Sequence, residues 1–382
     1  MADSPRRALI IGCGISGPVL AMFLHRAGFR PVVYERRSES VSGGGGSFNL
    51  APNGLDVLRT LGLADEVLTV AHPTERIAFH NHKGRQLGIN PEHTILVDRG
   101  ELQRILVDAA RRTGVPLEFG RNLTAVEDPG SGPVTARFDD GSRAEGDLLI
   151  GCDGLRSQVR RAVAPDAPEP SYTGIIDCGG YSDLPGRLPA DGVMRMTFGL
   201  RGFFGYQPLP GGKVFWFQNS AAPDDAAVRS LTPDQWRDRL LAVHRDDHAP
   251  IPDILAASDE VDRFAVYEAP PVPAWSRGRL VLVGDAAHAM APHTGQGASM
   301  ALEDAVTLAR CLRDNTSIAD ACAAYQADRK PRVDHVIRQT RQTGAQKTPG
   351  PVARAMRDLI LPLFLKKAVG QTTALYDHHI AF

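Results

Sequence analysis

The sequence predicts an α/β protein: a Rossmann-like dinucleotide-binding domain with an inserted antiparallel β-sheet domain and a C-terminal helix. Two observations lead to this fold class. Glycine-containing turns directly follow apolar runs at residues 8–17, 148–160 and 280–297, and the first continues into a helix and a second strand, which requires a parallel sheet. Residues 166–268 instead carry aromatic segments with a period of two, typical of an antiparallel sheet with one buried face.

These patterns predict the helices of the chain and the boundaries of its domains. Apolar periodicity predicts helices near residues 54–63, 101–112, 234–244, 299–312 and 353–365. The dinucleotide-binding domain is expected at 1–73, 97–165 and 269–345, the sheet domain at 74–96 and 166–268, and the C-terminal helical segment at 346–382.

Composition and charge narrow the class of protein. Of the 382 residues, 43% are hydrophobic and 23% are charged, and the formal net charge of -1 indicates neither a nucleic-acid partner nor a membrane surface. No apolar run reaches the roughly 18 residues that a membrane-spanning helix requires. The five cysteines lie in no metal-binding pattern, so we expect free thiols, no metal and a reducing, cytoplasmic location.

The first glycine turn is suited to a pyrophosphate. Gly12, Gly14 and Gly17 follow the first strand and open a helix, so that backbone amides and the helix N-terminus can approach an anion. Glu35 lies 18 residues beyond Gly17 at the end of the second strand, where an acid accepts hydrogen bonds from a ribose.

The other two turns narrow the ligand to FAD. Asp285 follows the third apolar run and can hold a ribityl hydroxyl, while the small residues 295–298 would present amide groups and a helix N-terminus to the flavin ring. In the second turn, one of Asp153 and Arg160 is expected near the cofactor and the other in a cap or ion pair. The glycine run at 43–46 is expected to pass close to the ligand.

Three further side chains have two interpretations each. Arg99 lies at a strand-helix junction, where a guanidinium suits a pyrophosphate, but a solvated arginine fits the spacing equally well. His288 is either functional or structural, and we favour the structural interpretation. His293 is either structural or close to the reactive ring, because it precedes the flavin loop.

Together these motifs resemble those of the class A flavoprotein monooxygenases of the aromatic-hydroxylase type, which share the para-hydroxybenzoate hydroxylase fold. The resemblance covers nearly the whole chain and is greatest for the smaller branch with urate, salicylate and tetracycline-type hydroxylases. It matches Arg99 to an arginine that contacts FAD, and residues 152–160 to a motif implicated in FAD and NAD(P)H interaction. The cofactor-binding residues are then expected to be Gly12, Gly14, Ser16, Gly17, Glu35, Arg36, Gly46, Arg99, Leu123, Asp153, Asp285, Pro292, Gly295, Gln296, Gly297 and Ala298.

The substrate pocket is expected between the flavin and the inserted sheet. Because side chains alternate along a strand, only one face of each strand can line it. No catalytic side chain is assigned, and His293 and Tyr206 are the candidates. The expected lining residues are Met194, Met196, Phe204, Tyr206, Phe215, Phe217, Gln218, Pro292 and His293.

The resemblance implies an FAD-dependent monooxygenase with non-covalent FAD. NADPH or NADH, bound transiently, would reduce the flavin, O2 would add at its C4a position, and the hydroperoxide would hydroxylate an aromatic or polyketide-like small molecule. A monomer or homodimer is expected. The alternatives are a flavin-dependent halogenase or reductase of the same fold and a non-catalytic flavin-binding accessory protein; Trp216 and Trp275 lack the Trp-x-Trp-x-Ile-Pro setting of the halogenases.

Overall fold

The structure, a computed structural model, describes residues 5–39, 46–222, 224, 226, 228, 230–290, 295–345, 354–362, 375–376 and 378–382. In chain order the strands are β1 (Arg7–Ile11), β2 (Arg30–Glu35), β3 (Ser47–Leu50), β4 (His72–Asn81), β5 (Gln86–Asp98), β6 (Leu117–Phe119), β7 (Leu123–Glu127), β8 (Val134–Phe138), β9 (Arg143–Gly146), β10 (Leu148–Gly151), β11 (Ser171–Asp183), β12 (Val193–Phe198), β13 (Gly202–Pro208), β14 (Lys213–Ala221), β15 (Ser258–Glu268), β16 (Ser276–Arg277) and β17 (Leu280–Leu282). The helices are α1 (Ser16–Arg26), α2 (Pro52–Thr60), α3 (Ala64–Leu68), α4 (Arg99–Arg112), α5 (Gln158–Val163), α6 (Pro233–His244), α7 (Ile251–Ala256), α8 (Asp285–His288), α9 (Gly297–Asp314), α10 (Ile318–Ala345) and α11 (354–362).

A six-stranded sheet forms the dinucleotide-binding part, with the strand order β16-β17-β10-β1-β2-β6. All neighbouring strands are parallel except β16 and β17. Leu9, Ile10 and Ile150 are completely buried, because other elements, among them α1 and strand β9, cover this sheet. The Rossmann-like α/β architecture predicted from the strand-turn-helix pattern is confirmed.

The second sheet has eight strands in the order β15-β11-β14-β13-β12-β4-β5-β3. Neighbouring strands of this sheet are antiparallel, except that β4 and β12, which are far apart in the sequence, are parallel. Strand β3 pairs with β5 at one edge of this sheet, although it lies within the stretch 1–73 that was expected to belong to the dinucleotide-binding domain. The expected domain boundaries stay a prediction. A third, small sheet contains β7, β8 and β9.

Helix α4 begins at Arg99, two residues earlier than expected, because the Asp98 carboxylate caps it and accepts the Glu101 N–H at 3.0 Å. Helix α2 likewise begins early, at Pro52, a residue that suits the first turn of a helix. Near the chain's end the Phe382 ring packs 4.8 Å from that of Phe23. In the part of the chain described above, no helix combines the length and apolarity needed to cross a bilayer.

Candidate active site

The three glycine-containing turns meet at one edge of the six-stranded sheet. Strand β10 pairs in parallel with both β1 and β17, so the turns that follow these strands all lie at the carboxyl ends. The crevice at this edge is where α/β sheets bind nucleotides.

Each glycine of the first turn has different surroundings. Gly12 has a φ of +107°, and a Cβ there would lie 2.3 Å from the Cys152 carbonyl oxygen. A Cβ on Gly17 would lie 2.0 Å from the carbonyl oxygen of Gly12, so α1 can pack this closely only without a side chain. A Cβ on Gly14 would meet no protein atom within 4 Å. Gly14 therefore borders open space, which fits the close approach of a pyrophosphate.

The Glu35 carboxylate lies beside this turn. It accepts the Cys13 N–H at 2.8 Å and the Arg37 N–H at 3.0 Å. A carboxylate has about four lone-pair positions, so it can still accept hydrogen bonds from ribose hydroxyls. Ser16 is buried in the first turn of α1, and Arg36 is exposed.

Asp285 is exposed at the first position of α8, directly after the strand-end residues Val283 and Gly284. The backbone bends sharply there, since Gly284 has a φ of +63° and its N–H donates to the buried Asp304 carboxylate at 3.0 Å. The exposed carboxylate at the sheet edge is suited to a ribityl hydroxyl.

Asp153 and Arg160, one of which was expected near the cofactor, both make hydrogen bonds within the protein. The Asp153 carboxylate accepts the Gln158 N–H at 2.8 Å and the Val159 N–H at 3.2 Å, so it caps α5. Burial raises the pKa of this carboxyl. The Arg160 guanidinium donates to the Leu155 carbonyl at 3.0 Å. The Asp153 carboxylate is half-buried and already accepts these two hydrogen bonds, and its expected contact with the cofactor stays a prediction.

The loop that was expected at the flavin ring, which we call the flavin-side loop, begins its described part at Gly295 and leads into α9. Gly295 has a φ of +65°, and a Cβ there would lie 3.8 Å from the carbonyl oxygen of Asn49 in β3. Gln296 is buried, and α9 begins at Gly297, followed by Ala298, so the free amides of its first turn lie at this loop. Pro292 and His293 lie outside the described residues.

Two cofactor candidates differ in exposure. Arg99 is exposed, and its backbone N–H donates to the Gly46 carbonyl at 3.0 Å, which joins the end of the glycine run to α4. Leu123 is buried in the core at the start of β7, so its side chain packs within the protein.

The pocket-lining candidates divide between two faces of the eight-stranded sheet. Met194, Met196, Phe215 and Phe217 share the face that we call the inner face, where they form apolar contacts with Tyr181. The Tyr181 and Ser47 hydroxyls share a hydrogen bond of 2.5 Å, so the inner face curves toward β3. Burial raises the pKa of Tyr181. Tyr181 was not among the expected lining residues, because its place opposite Phe215 depends on the register of β11 against β14.

Phe204, Tyr206 and Gln218, which were also expected to line the pocket, lie on the opposite face, which we call the outer face. Gly205, between the two aromatic residues, pairs with Met196 and so occupies the inner position. The outer-face aromatic residues pack instead against α6 and α7, which cover that face with a buried apolar cluster; its members include Phe204, Tyr206, Trp216, Trp236, Leu240, Ile251 and Ile254.

Two arginines of this part of the sheet domain pair with acidic side chains. The Arg195 guanidinium pairs with Asp191 at 2.6 Å and lies over the Tyr206 ring, on the outer face. Arg201 pairs with Asp246 at 2.6 Å, and Lys213 is exposed.

All five cysteines are free and buried. Burial raises the pKa of the Cys13 thiol to about 12, so it is protonated at neutral pH. Within the described ranges no three His, Cys, Asp or Glu side chains come together as a metal site.

Comparisons with known proteins agree with this geometry. The model of the FAD-binding domain family matches residues 6–340. The chain is 33% identical over 344 residues to the aurachin C monooxygenase/isomerase of Stigmatella aurantiaca, with 86% of each chain covered. It is 32% identical over 368 residues to the 6-hydroxynicotinate 3-monooxygenase of Pseudomonas fluorescens, covering 88% of this chain and 91% of the relative.

A solved structure is also similar. HpxO of Klebsiella pneumoniae, complexed with FAD and uric acid, superposes with a TM-score of 0.86 and 27% identity, covering 97% of this chain and 96% of that one. The family match over most of the chain names FAD as the ligand, and the open space beside Gly14 fits its pyrophosphate. The chain therefore belongs to the FAD-binding aromatic monooxygenases, and FAD is its cofactor.

Proposed function

We propose that this enzyme uses NAD(P)H and O2 to insert one oxygen atom into a medium-sized aromatic or polyketide-like molecule. The observation that carries the proposal is the short distance between the flavin-side loop and the inner face. Gly295 lies against Asn49 of β3, and β3 in turn reaches Tyr181 on the aromatic inner face through Ser47. A ligand on the inner face would therefore lie next to the flavin.

Several side chains would hold the cofactor. Glu35 would accept hydrogen bonds from the adenosine ribose, Asp285 from the ribityl chain, and Arg99 would pair with the pyrophosphate. When bound, FAD accepts electrons from NAD(P)H and activates O2 for oxygen transfer. The amide groups and positive end of α9 would stabilise the negative charge of the reduced flavin ring.

The inner face favours an apolar ligand with few hydrogen-bonding groups. Met196 and Phe217 are half-buried there, and the Tyr181 and Ser47 hydroxyls supply polar contacts. Apolar walls with few polar groups suit a flat, multi-ring phenol better than a small carboxylate. The pairing of Arg195 with Asp191 and of Arg201 with Asp246 supports the same preference.

Oxygen labelling tests the reaction. Purified, FAD-loaded protein is incubated with NADPH or NADH and labelled O2 in the presence of benzoates or multi-ring phenols. We expect a phenol to stimulate NAD(P)H oxidation and to give a product that contains one labelled oxygen atom. An unlabelled product or the incorporation of halide would contradict the proposed reaction. Micromolar binding of a simple benzoate that is abolished by Arg195→Ala would contradict the substrate class.

A further inference from the structure

A cluster of buried charges lies behind Asp285. It consists of Glu303 and Asp304 on α9 and of Arg329 and Arg332 on α10. Arg329 donates to Glu303 at 2.6 Å and to Asp304 at 2.7 Å, and these three side chains are at most 1% exposed. Arg332 donates to the second Glu303 oxygen at 2.8 Å. Buried charges are tolerated only with such close pairing, so the cluster fixes α9 relative to α10.

One arm of the cluster reaches the turn that presents Asp285. The second oxygen of Asp304 accepts the Gly284 N–H at 3.0 Å and a hydrogen bond from His288 Nε2 at 2.5 Å. The other ring nitrogen of His288, Nδ1, is buried without a hydrogen-bond partner in the described part of the chain. Asp304 therefore bonds both His288 and the backbone from which Asp285 projects.

A second arm reaches the loop at the start of α9. Glu303 Oε1 accepts a hydrogen bond from the Asn53 amide at 2.7 Å, and Asn53 makes a longer one, at 3.4 Å, to Gln296 Oε1. Asn53 is 1% exposed in the first turn of α2. The cluster thus joins three flavin-side segments: the end of β17, the start of α9 and the start of α2.

The carboxyl groups of Glu303 and Asp304 are ionised at neutral pH. Burial alone would raise the pKa of Asp304, but His288 and Arg329 outweigh it and hold this pKa below its ordinary value. Burial likewise opposes ionisation of Glu303, yet Arg332 and Arg329 lower its pKa. The planar guanidinium of Arg329 spans two adjacent carboxylates, which the single ammonium of a lysine cannot do in the same way.

We propose that Arg329 is a positioning residue for the flavin: by bonding Asp304 and Glu303 together, it fixes Asp285 relative to the first amides of α9 and thereby sets the reduction potential of bound FAD. The proposal rests on FAD binding at the three turns. The positive end of a helix stabilises an anion over a short range only, so a small displacement of α9 weakens this stabilisation of the reduced flavin.

The test compares Arg329→Lys with Arg338→Lys, which changes an exposed arginine of the same helix. For both variants we measure thermal unfolding of the apoprotein, the FAD dissociation constant by flavin fluorescence, and the flavin midpoint potential. In Arg329→Lys we expect a dissociation constant raised about tenfold, as for one poorly satisfied charged hydrogen bond, and a more negative potential. Arg338→Lys should match the wild type. A folded Arg329→Lys protein with unchanged affinity and potential would overturn the proposal.

Asn53→Ala decides the question if Arg329→Lys does not fold. This variant removes only the neutral arm and leaves all four charges paired, and Asn315→Ala at the far end of α9 is its control. We expect a smaller negative shift of the potential in Asn53→Ala alone. An unchanged potential would overturn the proposal, whereas a wild-type protein that does not take up FAD would overturn the cofactor assignment on which it rests.

Discussion

At the scale of single residues, we expect substitution of Gly14 to affect cofactor binding and substitution of Gly17 to affect folding. A Cβ on Gly14 meets no protein atom within 4 Å, so Gly14→Ala should leave the unfolding temperature of the apoprotein unchanged. The same methyl group would project toward the expected pyrophosphate, and we expect the FAD dissociation constant to rise at least tenfold, or about 1.4 kcal/mol. Gly17→Ala should instead destabilise the apoprotein, because its Cβ would lie 2.0 Å from the Gly12 carbonyl. Wild-type FAD affinity in Gly14→Ala would refute this view of the turn.

Asp285 provides a second test at this scale. Its carboxylate is exposed, so Asp285→Ala should fold normally but purify largely without flavin, since the ribityl hydroxyls lose a charged acceptor worth about 1.5–3 kcal/mol. The ratio of flavin to protein absorbance after purification measures the loss. Asp65→Ala, at an exposed acid of α3, is the matched control. Full flavin content in Asp285→Ala would mean that Asp285 has another role.

At the scale of elements, the sequence predicted features that depend on local pattern, such as the glycine-containing turns. It did not predict features that depend on strand register, such as the face on which a side chain lies. The turns after β1, β10 and β17 were found because each follows an apolar strand, and parallel pairing then brings them to one edge. Phe204 and Tyr206 were expected to line one pocket together with Met196, because aromatic composition does not reveal which residue of β13 lies opposite Met196. The pairing of Gly205 with Met196 is a tertiary property that places both aromatic residues on the outer face.

This division of the sheet predicts different effects of two aromatic substitutions. Phe217 lies half-buried on the inner face, with its ring over Gly205, so Phe217→Ala should raise the KM for a multi-ring phenol about tenfold through the loss of apolar contact. Tyr206→Phe, on the outer face, should leave KM and kcat at wild-type values. Steady-state NAD(P)H oxidation with the phenol measures both. Equal effects of the two substitutions would contradict the assignment of faces.

At the scale of the whole molecule, the buried charge cluster is a feature that sequence patterns do not predict. Glu303 and Asp304 are adjacent in α9, and in the sequence they look like an ordinary acidic pair on a helix. Their partner Arg329 is more than twenty residues away on α10, and only the packing of the two helices brings it to 2.6 Å from Glu303. Helix periodicity gives the buried face of each helix but not which polar residues meet across it.

The same cluster predicts how stability depends on pH. The pKa values of Glu303 and Asp304 are lowered in the folded protein, whereas in the unfolded chain they lie near about 4. The unfolded state therefore binds more protons as the pH falls, so this contribution to stability is complete above about pH 5 and decreases as the pH drops toward the folded-state pKa values. Each unit of lowered pKa corresponds to about 1.4 kcal/mol. Urea unfolding of the apoprotein from pH 7 to pH 3 measures the loss, which Glu303→Gln should reduce by removing one of the two carboxylates. Glu66→Gln breaks an exposed ion pair with Arg112 and should keep the wild-type pH dependence, since such pairs contribute little. If Glu303→Gln loses stability with acid as steeply as the wild type, other carboxylates control the acid unfolding of this protein.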